Sequence, residues 1–188
     1  MSDSPANSAG GVYQTTDGGA TWNRISGLPT GNSILRGSLG ISSSGNNLYV
    51  VMSDQNGNLI NGDIYTGVNT GGSWTWSAHA VPANMASDNS ESQWWYDIFA
   101  MVDPTISAGT TAYIGGVDLW KTTDGGVNWT NLTNAYTTGT VHPDQHALAF
   151  LPSSSSYYLG NDGGVWSGTS GGSFTDLNGG GLNINAVL

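Results

Sequence analysis

Thr122-Thr123-Asp124-Gly125-Gly126-Val127-Asn128-Trp129 has an earlier counterpart in Thr15-Thr16-Asp17-Gly18-Gly19-Ala20-Thr21-Trp22. Two such near-copies in one chain mark an internal repeat. Weaker copies stand at Gly67-Val68-Asn69-Thr70-Gly71-Gly72-Ser73-Trp74, with Asn69 in place of Asp, and at Ser167-Gly168-Thr169-Ser170-Gly171-Gly172-Ser173-Phe174, with Thr169 and Phe174 substituted. The local chemistry of each copy is that of a hairpin: an Asp or Asn side chain bonds the backbone N–H groups that follow it, and adjacent glycines accept positive φ. The closing aromatic is expected to pack beneath the turn. Asp17, Trp22, Asn69, Trp74, Asp124 and Trp129 are accordingly read as structural.

Working outward, each copy follows a short apolar strand: Gly11–Gln14, Asp63–Tyr65, Asp118–Lys121 and Gly164–Trp166. Another strand follows the turn, as at Trp129–Leu132. Upstream of the last three copies lie two more candidate strands each: Ser38–Ile41 with Leu48–Val51, Tyr96–Val102 with Ala112–Gly115, and His146–Phe150 with Tyr157–Gly160. The closing aromatics recur at steps of roughly 45–55 residues, the size of a four-stranded propeller blade. The reading is all-β, a partial or small β-propeller of about three complete four-stranded blades plus a shared or incomplete fourth. Residues 1–188 form one domain or fragment, with blade parts 1–29, 34–82, 95–134, 144–179 and 182–188. Residues 1–29 hold only the last two strands of a blade, and Leu182–Leu188 alternates like a first strand. A small ring lacking one strand, an assembly-dependent half ring and a fragment of a longer protein all fit; the last two are favoured, because open sheet edges call for a partner copy.

Composition narrows the function classes. The chain has 188 residues, enough for a sizeable core, and its 8 Trp and 8 Tyr argue against disorder. A net charge of -10, with Arg24, Arg36 and Lys121 as the permanent cations, leaves no basic surface for nucleic acid or an anionic membrane. There are no Cys residues, which removes disulfides, thiolate metal sites and thiol nucleophiles. Met1-Ser2-Asp3-Ser4-Pro5 lacks the features of a signal peptide, and no stretch has the length of a membrane span. The expectation is a soluble, secreted chain whose export signal lies outside these residues.

The Ser/Thr-x-Asp-x-Gly-x-Thr-Trp pattern resembles the Asp-box, or BNR repeat. Val141-His142-Pro143-Asp144-Gln145-His146-Ala147-Leu148-Ala149-Phe150 and Gly160-Asn161-Asp162-Gly163-Gly164-Val165-Trp166 resemble segments of large bacterial secreted BNR-repeat proteins. The resemblance covers nearly the whole chain. It implies a propeller and an extracellular setting, with relatives that include sialidases, xyloglucanase-type glycosidases and sortilin-like receptors, and no single activity. Sialidases of that superfamily hold the substrate carboxylate with three Arg, whereas this chain has Arg24 and Arg36 alone, which excludes their usual mechanism.

Three groups of residues could carry chemistry. His142-x-Asp144-x-His146 would place three side chains on one face of an extended segment, a spacing that suits a divalent metal or a base with a carboxylate orienter. Asp162, Asp97 or Asp118 would have to complete a metal shell; the alternative is that His146 and Asp144 bond backbone and fix the loop between blades. Trp94-Trp95-Tyr96-Asp97, after the polar stretch Ser87–Gln93, offers rings for stacking on sugar faces, with Asp118 and Asp162 as further substrate-binding candidates. The alternative is that one or both Trp belong to the core. A glycosidase needs two carboxyl groups, which Asp97, Asp144 and Asp162 could provide without Glu91, the only Glu; Asp97 and Asp144 are the candidate catalytic pair. No Ser nucleophile motif, phosphate loop or HExxH helix is present. The expected function is recognition of a polysaccharide or glycan by an interaction propeller, completed in a larger chain or a homo-oligomer. A glycoside hydrolase of the xyloglucanase or endoglucanase type is the alternative, and a metal-stabilised scaffold the third. No cofactor is required, a divalent metal being the one the residues could take.

Overall fold

The computed structural model describes residues 10–88 and 93–180, so the strand expected at 182–188 lies outside the described residues. Apart from one short helix, α1 (Ala83–Asp88), and a 3-10 turn at Asn178–Gly180, the regular elements are strands. They form four antiparallel sheets. The first pairs β1 (Tyr13–Gln14) with β2 (Asn23–Arg24). The second is β3 (Ile34–Ile41), β4 (Asn47–Asp54), β5 (Leu59–Thr70) and β6 (Ser73–Ala80). The third is β7 (Phe99–Val102), β8 (Ala112–Gly115), β9 (Leu119–Thr122) and β10 (Thr130–Asn131), and the fourth is β11 (Gln145–Phe150), β12 (Tyr157–Asn161), β13 (Gly164–Gly168) and β14 (Phe174–Asp176). Each four-stranded sheet runs in plain sequence order from one edge to the other.

The period-two alternation of the strands buries both faces of the inner sheets. On β4, Leu48, Val50 and Met52 face Val12 and Leu28 of the first layer, while Tyr49 and Val51 face Ala100, Val102, Ala112 and Ile114 of the third sheet. The opposite face of that third sheet, with Phe99, Tyr113 and Leu119, meets Leu148, Tyr157, Leu159 and Trp166 of the fourth. The sheets therefore stack face to face. Their first strands are neighbours, β7 packing on β3 and β11 on β7, and Ser38 Oγ accepts the Ala100 N–H at 3.0 Å across the first of these junctions. No closed barrel forms among the described residues, and the arrangement is that of a partial propeller-like β fold.

The two strongest sequence copies adopt one hydrogen-bond cage. Asp17 accepts from Thr21 N at 2.9 Å and Thr21 Oγ1 at 2.6 Å, and Thr15 Oγ1 accepts from Gly19 N at 2.8 Å. Asp124 likewise accepts from Asn128 N at 2.9 Å and Asn128 Nδ2 at 2.7 Å, and Thr122 Oγ1 accepts from Gly126 N at 3.0 Å. Gly125 and Gly126 sit at φ 79 and 95, where a side chain would be strained. The Asn69 copy is tighter, a two-residue turn between Thr70 and Ser73 in which Asn69 Oδ1 accepts from Gly72 N at 2.9 Å.

Two expectations change. Trp129 packs beneath its turn, donating Nε1–H to Gly126 O at 3.0 Å, but Trp22 is 60% exposed, because the two-stranded layer has no sheet stacked on its outer side among the described residues. The strand read as Tyr96–Val102 begins only at Phe99. Gln93 O accepts from Tyr96 N at 2.7 Å and Asp97 N at 3.3 Å, which curls residues 93–97 into a turn.

Candidate functional site

Because β7 and β11 are adjacent first strands, the segments that enter them meet at one end of the stacked sheets, together with the β12–β13 turn. Sequence-distant residues converge there: Gln93, Trp95, Tyr96 and Asp97 from the turn before β7, Asp144 and His146 at the start of β11, and Asp162 from the β12–β13 turn. Asp162 accepts from both neighbours, His146 Nε2 at 2.6 Å and Tyr96 Oη at 3.2 Å, and the Tyr96 and His146 rings meet edge to face at 4.8 Å. Arg36 of β3 reaches across to the same turn and donates Nη1–H to Trp95 O at 3.1 Å and to Tyr96 O.

The loop before β11 is fixed from beneath. Asp144 N–H donates to Val117 O at 3.0 Å, and the buried Gln145 donates Nε2–H to Val117 O at 3.1 Å and to His142 O at 2.7 Å. Asn161 Nδ2–H donates to His142 O at 2.9 Å and to Gln145 Oε1 at 3.2 Å. Asp144 takes φ 65, a left-handed conformation that Asp tolerates, and the register then shifts between Gln145 and Ala147. That bulge aims His146 at Asp162.

The same kink overturns the reading of His142-x-Asp144-x-His146 as one ligand face, since a left-handed residue interrupts the alternation. His142 is exposed with Nδ1 against Pro143 O at 3.1 Å, and no three His, Asp or Glu among the described residues are grouped to hold a metal. Asp118 is also turned elsewhere, accepting from Thr133 Oγ1, from Asn131 Nδ2 at 2.7 Å and from Ala135 N at 2.8 Å, so it braces the 131–135 loop. Trp94, at 3% exposure, is core beside Trp120 and Ile98, whereas Trp95 is 52% and Tyr96 39% exposed.

Trp95 and Tyr96, tilted at 49° with centroids 5.6 Å apart, line a cleft of about 340 Å³ together with Gln93 and Asp144. Beneath it Asp97 is fully buried. Burial pushes the Asp97 carboxyl up to about 8, and the negative charge of Asp144 beside it adds to the rise, so Asp97 is held protonated at neutral pH. Asp144 is also raised, by burial first and then by the charge of Asp162, against the opposing pull of His142 and His146. The residues that sequence reasoning missed are Gln93, Gln145, Asn161 and Arg36. Polar side chains in a stretch entering a buried strand were the available signal for Gln145 and for Gln93, the last residue of the Ser87–Gln93 stretch.

No protein-family model matches the chain. A xyloglucanase from Paenibacillus sp is 30% identical to it over 130 residues, which are 68% of this chain and 12% of that protein. The chain thus spans a small part of that relative. Among solved structures, the crystal structure of the Niastella koreensis GH74 enzyme is similar at 16% sequence identity and a TM-score of 0.39, over 89% of this chain and 34% of that one.

Proposed function

We propose that the chain is a segment of an extracellular, glycoside-hydrolase-like propeller, built on Asp-box turns, whose cleft binds polysaccharide. The observation that carries the reading is the pair of exposed rings, Trp95 and Tyr96, which line one cleft with Asp144 and Gln93. Flat rings cover the apolar faces of pyranose units, and a nearby carboxylate and amide bond their hydroxyls. The xyloglucanase relative supports a β-glucan backbone as the ligand to try first. In calorimetric titration with xyloglucan and cello-oligosaccharides, the chain is expected to bind, and Trp95→Ala to weaken binding at least about tenfold with an unchanged melting temperature. Absence of binding to every oligosaccharide, or binding indifferent to Trp95→Ala and Tyr96→Ala together, would overturn the reading.

The relative also favours a second reading, hydrolysis. Asp97 and Asp144 cannot both act on a bound glycan, because the Asp97 carboxyl is fully buried and only Asp144 lines the cleft. In a hydrolase, Asp144 would be the catalytic carboxyl, Asp97 would position and tune it, and a second carboxyl would come from another part of the enzyme. Release of reducing sugar by a longer form of the chain that supplies the second carboxyl, abolished in Asp144→Asn, would establish hydrolysis; binding by that form without release leaves recognition.

In this reading each four-stranded sheet is one blade, and β1 with β2 the outer half of another. One feature supports a larger or composite ring. Leu39 and Ile41, at 51% and 56% exposure, share a face with the buried Val50 and Leu48 opposite them. The β1–β2 layer covers the β4 half of that face and leaves the β3 half bare, where the next blade's inner strands would lie.

A further inference from the structure

Under the cleft lies a surplus of buried acceptors. Apart from the hydrogen bond that the Asp97 and Asp144 carboxyls make with each other, neither oxygen of the fully buried Asp97 meets a donor, and Asp144 Oδ1 and Gln93 Oε1 are likewise buried with no other hydrogen-bond partner. The chain satisfies its other buried carboxylates: Asp118 has the donors described above, and Asp103 accepts from Thr105 N at 2.9 Å and Thr105 Oγ1 at 2.7 Å. A buried carboxylate without a partner is costly, and two facing one another more so, unless a proton or a cation stands between them; in the metal-free chain the proton held by Asp97 does so, and a cation would displace it. Among the described residues no Lys or Arg is recorded bonding either carboxyl. Arg36 is engaged with the Trp95 and Tyr96 carbonyls, and Lys121 Nζ donates to Ser170 O at 2.6 Å.

We propose that Asp97, Asp144 and Gln93 bind a divalent hard cation, calcium in the first instance, at the floor of the cleft. A ligand set of oxygens alone selects calcium or magnesium over zinc or copper. His146 is not a third ligand, since no three His, Asp or Glu among the described residues are grouped to hold a metal. Two carboxylates and one amide oxygen make an incomplete shell, so water completes it on the cleft side. An irregular, partly aqueous shell suits calcium's flexible coordination better than magnesium's strict octahedron. The site differs from the His142, Asp144 and His146 set suggested by spacing, and it stands independently of the glycan reading, since its test contains no sugar.

The chelator-treated chain is titrated with calcium chloride by calorimetry and by thermal melting. One site is expected, with a dissociation constant of about 0.1–1 mM, the range of extracellular calcium modules with few charged ligands. The melting temperature should rise on saturation. Asp144→Asn and Asp97→Asn, each nearly isosteric, should weaken binding at least about tenfold; should either fail to fold, Gln93→Leu gives a third arm. Terbium(III), its luminescence sensitised by the neighbouring Trp95, provides an independent readout and should be displaced by calcium. Absence of heat, melting shift and luminescence up to about 10 mM calcium or magnesium would overturn the proposal, as would binding that survives all the substitutions.

Discussion

Asp17 and Asp124 show how much a single turn carboxylate organises, and their behaviour in acid is the measurable consequence. Hydrogen bonds from Thr21 hold Asp17 down at about 2, and those from Asn128 do the same for Asp124. A carboxyl lowered on folding contributes stability in full above its unfolded value near 3.8 and loses that contribution as the pH falls toward 2. Asp124→Asn removes the titrating group, so its melting temperature is expected to lie below that of the parent at pH 6 and to converge with it by about pH 2; calorimetric scans across that interval check this. Gly163 gives a second test at the same scale. A Cβ there would come within 2.6 Å of His142 Cγ, so Gly163→Ala must displace the His142 loop. The expected cost is about 1–3 kcal/mol in urea unfolding, as for other overpacked sites.

At the scale of the element, the loop entering β11 is decided by Gln145 rather than by the residues on either side of it. Gln145 makes its three side-chain bonds in full burial, to Val117 O, His142 O and Asn161 Nδ2. Replacing it by Ala removes all three and leaves a void, which is expected to destabilise the chain by about 2–4 kcal/mol. Because the same bonds hold Asp144 over the cleft, Gln145→Ala should also weaken oligosaccharide binding in the titration that tests Trp95. The strand pattern of this region was legible beforehand: Ala112–Gly115 is β8 as read, and the apolar alternation of His146–Phe150 lies within β11. The loop was not legible, since a left-handed Asp144 and a bulge after Gln145 leave no trace in a period-two pattern.

For the whole molecule, the bare half of the β3–β4 face has the clearest consequence. The matching faces of the inner sheets are closed by first and second strands of a neighbouring sheet, and among the described residues β2 is the strand paired with β1. In a solution of this chain alone, a second copy would be one source of those strands, residues 182–188 of the same chain the other. Light scattering at micromolar to millimolar concentration is expected to show a concentration-dependent dimer, and Leu39→Lys with Ile41→Lys to return it to a monomer. A monomer at every concentration would show that no second copy covers the face.

The amino-acid sequence by itself determined the repeated turns, the strand runs around them and the all-β, sheet-by-sheet organisation. These depend on local chemistry, namely Asp and Thr side chains bonding their own backbone, glycines at positive φ, and apolar alternation within a few residues. It also named most of the residues that meet at the cleft. Tertiary structure alone decided which of them face it. Trp94 turns into the core while Trp95 faces solvent, Asp118 braces a neighbouring loop, and Asp97 is sealed beneath Asp144 without a donor. The physical reason is that exposure and charge proximity arise where β7 and β11 are brought side by side, and contacts between residues nearly fifty positions apart are not encoded in the periodicity of either strand.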